Sequence, residues 1–177
     1  VVPEAATFPL PASVDFETGA AVLLTYSTTM HALVDRAHLA PGEKLLVLGA
    51  AGGVGTSAIQ IGKCLGAEVI AAASSEAKLA YCRENGADAT IDTSREALKD
   101  RAKVLSKGGV DVVYDPVGGD LTEAALRTLA WDGRLLVVGF AAGAIPKIPA
   151  NLVLLKSCQI VGVFWGAFAA RWPEKNR

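Results

Sequence analysis

The chain has 177 residues, 51% of them hydrophobic and 20% charged, enough apolar material for one domain of ordinary size with a substantial core. Seventeen basic against eighteen acidic residues leave a net charge of -1 and no run of like charge, which argues against nucleic acid or an anionic membrane as partner and for a small molecule. The longest uncharged stretch, Thr18 to Val34, is broken by Thr, Tyr, Ser and His, unlike a membrane span, so a soluble protein is expected.

Taken in chain order, residues 1–11 lack both an initiator Met and the basic-then-apolar pattern of a signal peptide, and read as part of something longer. Residues 16–24 and 28–37 read as two helices leading into the domain. Six short apolar runs then follow as candidate strands, at residues 45–48, 69–73, 89–91, 112–114, 135–138 and 160–164. Most are apolar without alternation, as parallel strands buried on both faces are. Between them, Val54, Ala58, Ile61 and Leu65 recur at helical spacing before Gly66, and residues 76–85, 95–105 and 121–129 read as further helices. Residues 141–149, with two prolines and a glycine, read as a loop before a short helix and the last strand. Strand alternating with helix in this way predicts an α/β, doubly wound, six-stranded parallel sheet with helices on both faces. Cys64, Cys82 and Cys158 are odd in number and scattered, which fits reduced thiols in the cytoplasm better than disulfides or a zinc site.

The segment Gly49-Ala50-Ala51-Gly52-Gly53-Val54-Gly55 lies between the first strand and its helix. Small residues there let the backbone turn sharply, approach a pyrophosphate closely and pack the helix on its strand, with the helix N-terminus aimed at the anion. Ala50 stands where the usual first glycine would be. A tight structural turn is the bland alternative, but the position after a strand and before an amphipathic helix favours a Rossmann-type dinucleotide site. A phosphate-loop nucleotidase would carry Lys and Ser/Thr after the last glycine, and Thr56-Ser57 follow instead. The short-chain reductase Tyr/Lys pair, four residues apart, is absent too: Tyr26, Tyr81 and Tyr114 have Met30, Asn85 and Gly118 at that offset.

At the end of the second strand, where an NAD site carries an acid for the ribose 2′-hydroxyl, this sequence has Ser74-Ser75, and Lys78 follows one turn on. A lysine, a hydroxyl and helix-start N–H groups suit a 2′-phosphate, so NADPH is the expected cofactor. The same serines would also make an ordinary helix N-cap, and both roles are compatible.

The run from Pro41 through Gly55, with Ala58, Gln60, Lys63, Gly66-Ala67 and Gly86-Ala87-Asp88 behind it, resembles the medium-chain dehydrogenase/reductase superfamily, in particular its zinc-independent quinone oxidoreductase branch, which includes zeta-crystallin. The resemblance implies NADPH preference, no metal, and a homodimer whose last strands pair edge to edge. It also implies residues 1–40 as a lead-in, 41–165 as the dinucleotide core and 166–177 as the start of a return toward a catalytic domain outside this sequence. Carried over position by position, it places Ala51, Gly52, Gly53, Val54 and Gly55 on the pyrophosphate, and Ser74 and Lys78 on the adenosine phosphate. Thr93 stands near the adenosine end, where relatives often have Tyr or His. Gly118 and Gly119 follow the fourth strand, Val138, Gly139 and Phe140 border the nicotinamide with Val163 and Phe164, and Thr28 matches a threonine near the cofactor.

No residue stands out as nucleophile or proton donor. His31 falls mid-helix, His38 near a loop, and Asp115 before Pro116 suits a turn. In this chemistry the cofactor supplies the hydride and the protein supplies orientation. The expected activity is hydride transfer from NADPH to a quinone or activated alkene. A 2-enoyl-thioester reductase and a non-catalytic dinucleotide-binding module remain open as alternatives.

Overall fold

The computed structural model describes residues 7 and 9–176. Residues 1–6, 8 and 177 lie outside the described residues, and with them most of the segment read as non-signal sequence.

Six strands form one parallel sheet: β1 (Lys44–Leu48), β2 (Glu68–Ala73), β3 (Ala89–Asp92), β4 (Val110–Asp115), β5 (Leu129–Val137) and β6 (Gln159–Gly162). Their order is β3-β2-β1-β4-β5-β6, so the winding reverses between β1 and β4. The absence of alternation along the strands has a direct cause. Leu45 and Val47 of β1 face a core with Val69, Ala71, Val112, Tyr114 and Leu136, while Leu46 and Leu48 face a second core with Ile70, Ala72, Val113 and Leu135. Burying each such Leu or Val contributes about 1.5–3 kcal/mol, so both faces demand apolar residues at every position.

The first core is covered by α1 (Phe16–Met30), α2 (Gly53–Cys64) and α3 (Glu76–Glu84). The second is covered by α4 (Leu98–Ser106), α5 (Asp120–Leu126) and α6 (Ala150–Lys156). Two short helices, α7 (Trp165–Arg171) and α8 (Pro173–Asn176), follow β6. The His31 ring stacks on Phe168 of α7 at 4.2 Å, and Arg36 Nε donates to the Gly162 carbonyl at 3.1 Å, tying the end of β6 to the first helix.

Several boundaries differ from the sequence reading. Residues 16–36 form one helical rod rather than two, α1 running on through a π-helical turn at His31–Arg36. Nothing in Thr25-Tyr26-Ser27 breaks a helix, and the Tyr26 hydroxyl is anchored by donating to Gln60 of α2. Helix α4 starts at Leu98 instead of Arg95 because the Asp92 carboxylate first closes a turn, accepting from the Ser94 N–H at 2.9 Å and hydroxyl at 2.6 Å. Helix α5 stops at Leu126, and β5 opens at Leu129: Leu129 pairs with Val110, the chain bulges out through Asp132 at φ +60°, and pairing resumes between Val112 and Arg134. Strand β6 closes at Gly162, although the Val163 N–H still reaches the Val137 carbonyl at 3.0 Å.

Candidate dinucleotide site

Every strand of the sheet delivers its carboxyl end to one edge, and the glycine turn sits at the centre of that edge, where the winding reverses. The sharp bend falls on Gly49, at φ +57°. Ala50 needs no such angle: its side chain is buried and its N–H donates to the Ala72 carbonyl at 3.1 Å, which accounts for an alanine in place of the first glycine. The Gly52 N–H returns to the Gly49 carbonyl at 3.0 Å, and α2 starts at Gly53 without a side-chain cap. The first-turn N–H groups and the positive end of the helix therefore face the edge, with Gly52 and Gly53 exposed there. A Cβ on Gly55 would meet the Gly49 carbonyl oxygen at 2.5 Å and the Ala50 backbone at 2.7 Å, so glycine is demanded by packing. These features fit a pyrophosphate: Gly52 and Gly53 offer bare backbone, and Ala51 and Val54 are half-buried beside them.

On the β2 side, Ser74 and Lys78 come together, Lys78 Nζ donating to Ser74 Oγ at 3.3 Å on the exposed rim. Ser75 is the N-cap of α3, accepting from the Lys78 N–H at 3.4 Å, so the cap and the lysine–serine pair coexist on one turn. Thr93, just past β3, binds the end of β2 beside this pair; its N–H and hydroxyl both donate to the Ala73 carbonyl, at 2.9 and 3.2 Å. Asp92, which the sequence reading did not single out, pairs in register with Ala73. Its carboxylate is turned inward onto Ser94, and the Ser94 hydroxyl and N–H bonds hold its carboxyl below the usual range.

On the β4 side, Gly118 and Gly119 take φ of +73° and +61°. Asp115 organises that turn as expected, its buried carboxylate accepting from the N–H groups of Val117 and Gly118 at 2.9 Å each and from the Thr122 hydroxyl at 2.6 Å. The two turns interlock: a Cβ on Gly49 would stand 2.9 Å from Val117 Cγ2, and one on Gly118 would stand 2.9 Å from Phe140 Cδ1. Val138 and Gly139 N–H groups both donate to the Asp115 carbonyl, at 2.9 and 3.3 Å. Val163 is buried at the end of β6, whereas Phe164 is 76% exposed. Thr28 on α1 is half-buried, and α1 meets the glycine turn through Thr25, whose Cγ2 would lie 3.1 Å from a Cβ on Gly53. Tyr114 and Thr29, also missed, are buried behind the turn and bonded to each other at 2.9 Å; burial pushes the Tyr114 phenol up to about 12.

A family model described as zinc-binding dehydrogenase matches residues 53–176. The chain belongs to that family. It is the cofactor-binding domain of the zeta-crystallin-like quinone oxidoreductase branch of the medium-chain dehydrogenase/reductase superfamily. The quinone oxidoreductase-like protein 2 homolog of Nematostella vectensis is 42% identical over 179 residues, covering 100% of this chain and 49% of its own. The solved quinone oxidoreductase of Thermus thermophilus, described with its NADPH complex, superposes with a TM-score of 0.86 at 34% identity, over 99% of this chain and 56% of that one. A putative enoyl reductase domain of a polyketide synthase superposes with a TM-score of 0.76 at 28% identity, over 87% of this chain and 85% of that one. The chain thus spans about half the length of the curated relative it matches. The family's description implies zinc, but among the described residues no group of three or more His, Cys, Asp or Glu is clustered to hold a metal. No helix among them is long and apolar enough to cross a membrane.

Proposed function

We propose that this domain binds NADPH for a zinc-independent reductase that passes its hydride to a quinone or an activated alkene. The observation that carries the cofactor choice is the Lys78–Ser74 pair at the end of β2, a cation and a hydroxyl where a 2′-hydroxyl reader would carry a carboxylate. Residues 52–55 hold the pyrophosphate on the first turn of α2, and Thr93 lines the adenosine side. Gly118, Gly119, Val138, Gly139, Phe140, Val163, Phe164 and Thr28 surround the nicotinamide half. Bound NADPH supplies the hydride. The chain's own part is to orient the ring against the β4–β6 edge and to keep water from it. The acceptor's remaining contacts belong to a catalytic domain flanking residues 41–165, toward which residues 166–177 lead.

A second reading, a 2-enoyl-thioester reductase, is supported by the likeness to the polyketide synthase enoyl reductase domain. Both readings use the same cofactor edge and differ in acceptor alone. Assembly as a homodimer through β6 is part of the proposal: β6 is the sheet's edge, and Leu154 and Leu155 of the preceding helix are 79% and 67% exposed. A cytoplasmic setting accords with three free cysteines. Titration with NADPH and NADH, followed by nicotinamide fluorescence, tests the cofactor assignment; tighter binding of NADPH is expected, and indifference to both would overturn it.

A further inference from the structure

Three hydroxyls meet inside the first core: Thr29 of α1, Ser57 of α2 and Tyr114 of β4, none with any exposed surface. Thr29 Oγ1 lies 2.7 Å from Ser57 Oγ and 2.9 Å from the Tyr114 hydroxyl oxygen. Ser57 Oγ donates to the Val54 carbonyl at 3.0 Å, with the Thr25 carbonyl at 3.2 Å. Each hydroxyl has one hydrogen to give, and the carbonyls at the far end can only accept. The direction of the chain is therefore fixed: Tyr114 donates to Thr29, Thr29 to Ser57, and Ser57 gives its one hydrogen to the carbonyl end, where the Val54 oxygen is nearer and the Thr25 oxygen is also in reach.

The two carbonyls at its end belong to the pieces that shape the dinucleotide edge. Val54 lies in the glycine turn, and Thr25 carries the methyl that abuts Gly53. We propose that Tyr114, Thr29 and Ser57 form a positioning relay that sets the glycine turn for dinucleotide binding. The inference rests on the reading of that turn as a dinucleotide site. Apolar residues of similar volume would fill the same space with comparable stability. Hydrogen bonds add a fixed register of α1 on α2 and of both on β4, and so fix the aim of the first-turn N–H groups. These are positioning residues; none touches the cofactor.

The test compares Thr29→Val, which keeps the volume and removes the hydroxyl, with Thr29→Ser, which restores it. Thr128→Val serves as a stability control, removing another buried hydroxyl that bonds the Ala125 carbonyl at 2.6 Å at the end of α5, away from the glycine turn. Thr29→Val, which loses both buried hydrogen bonds of that hydroxyl, is expected to weaken NADPH binding about fivefold or more, with Thr29→Ser recovering most of it and Thr128→Val leaving it unchanged. In the unliganded chain, amide exchange at residues 52–55 should quicken in Thr29→Val alone. Equal NADPH binding by Thr29→Val and wild type overturns the proposal, as does unchanged exchange at the turn. Should the wild type bind no dinucleotide, faster exchange in Thr29→Val alone still supports the relay and removes the cofactor reading instead. If Thr29→Val does not fold, Tyr114→Phe, which deletes only the first donor, is expected to shift both readouts less in the same direction, and no shift overturns the relay.

Discussion

The Gly49 carbonyl stands directly over Gly55, so close that a methyl group on Gly55 would lie 2.5 Å from its oxygen. The same oxygen accepts the Gly52 N–H at 3.0 Å, so it cannot retreat without opening the turn.

Gly55→Ala is therefore expected to destabilise the domain by about 1–3 kcal/mol, the range of overpacked sites, and to abolish saturable dinucleotide binding. Gly162→Ala is the contrast: a Cβ there meets nothing within 4 Å, and its unfolding free energy should change by no more than about 0.5 kcal/mol. Urea unfolding of the two variants checks both, and a wild-type midpoint for Gly55→Ala would contradict the packing argument.

At the opposite edge of the sheet, Glu43 receives both Nη1 and Nη2 of Arg134, at 2.9 and 2.6 Å, and the Ala40 N–H at 2.8 Å. Burial acts to raise the Glu43 carboxyl, but the Arg134 guanidinium and the Ala40 N–H outweigh it and hold it below its usual value of 4.5. A depressed folded-state value means that the stabilisation is complete above 4.5 and is lost as the pH falls through the lowered value. Glu43→Gln should cost about 1–3 kcal/mol at neutral pH, and the gap to wild type should narrow in acid. Parallel unfolding curves at all pH values would exclude this account.

Asp115 is the single acceptor for three donors of the β4 turn. In Asp115→Asn one oxygen becomes an amide nitrogen that cannot accept, leaving at least one donor unpaired at a cost of about 1–3 kcal/mol. Amide exchange at Gly118 and Gly119 should rise, and NADPH binding should weaken with it. Retained protection at those two glycines would show that the turn holds without the carboxylate.

The strands and the glycine turn were legible because their signals are local: continuous apolar runs and small residues at fixed spacing. Ser74 and Lys78 could be paired for the same reason, being one helical turn apart. The bulge in β5 is not legible in the same way: residues 129–133 carry no continuous apolar run, Asp132-Gly133 breaking it, and only the pairing of Leu129 with Val110 brings them into the strand. The first two helices join because no residue between them breaks a helix, and the bond of Tyr26 to Gln60, 34 residues away, that anchors the join has no sequence signal. Thr29 carries no such signal, since its partners Ser57 and Tyr114 lie 28 and 85 residues along the chain and no sequence spacing connects them.

If Lys78 and Ser74 read the 2′-phosphate, the affinities of wild type and Lys78→Ala for NADPH and for NADH show it most directly. One lost charge-assisted hydrogen bond is worth about 1.5–3 kcal/mol, so NADPH binding should weaken about tenfold or more while NADH binding stays the same. Equal losses for both cofactors, or none for either, would contradict the assignment.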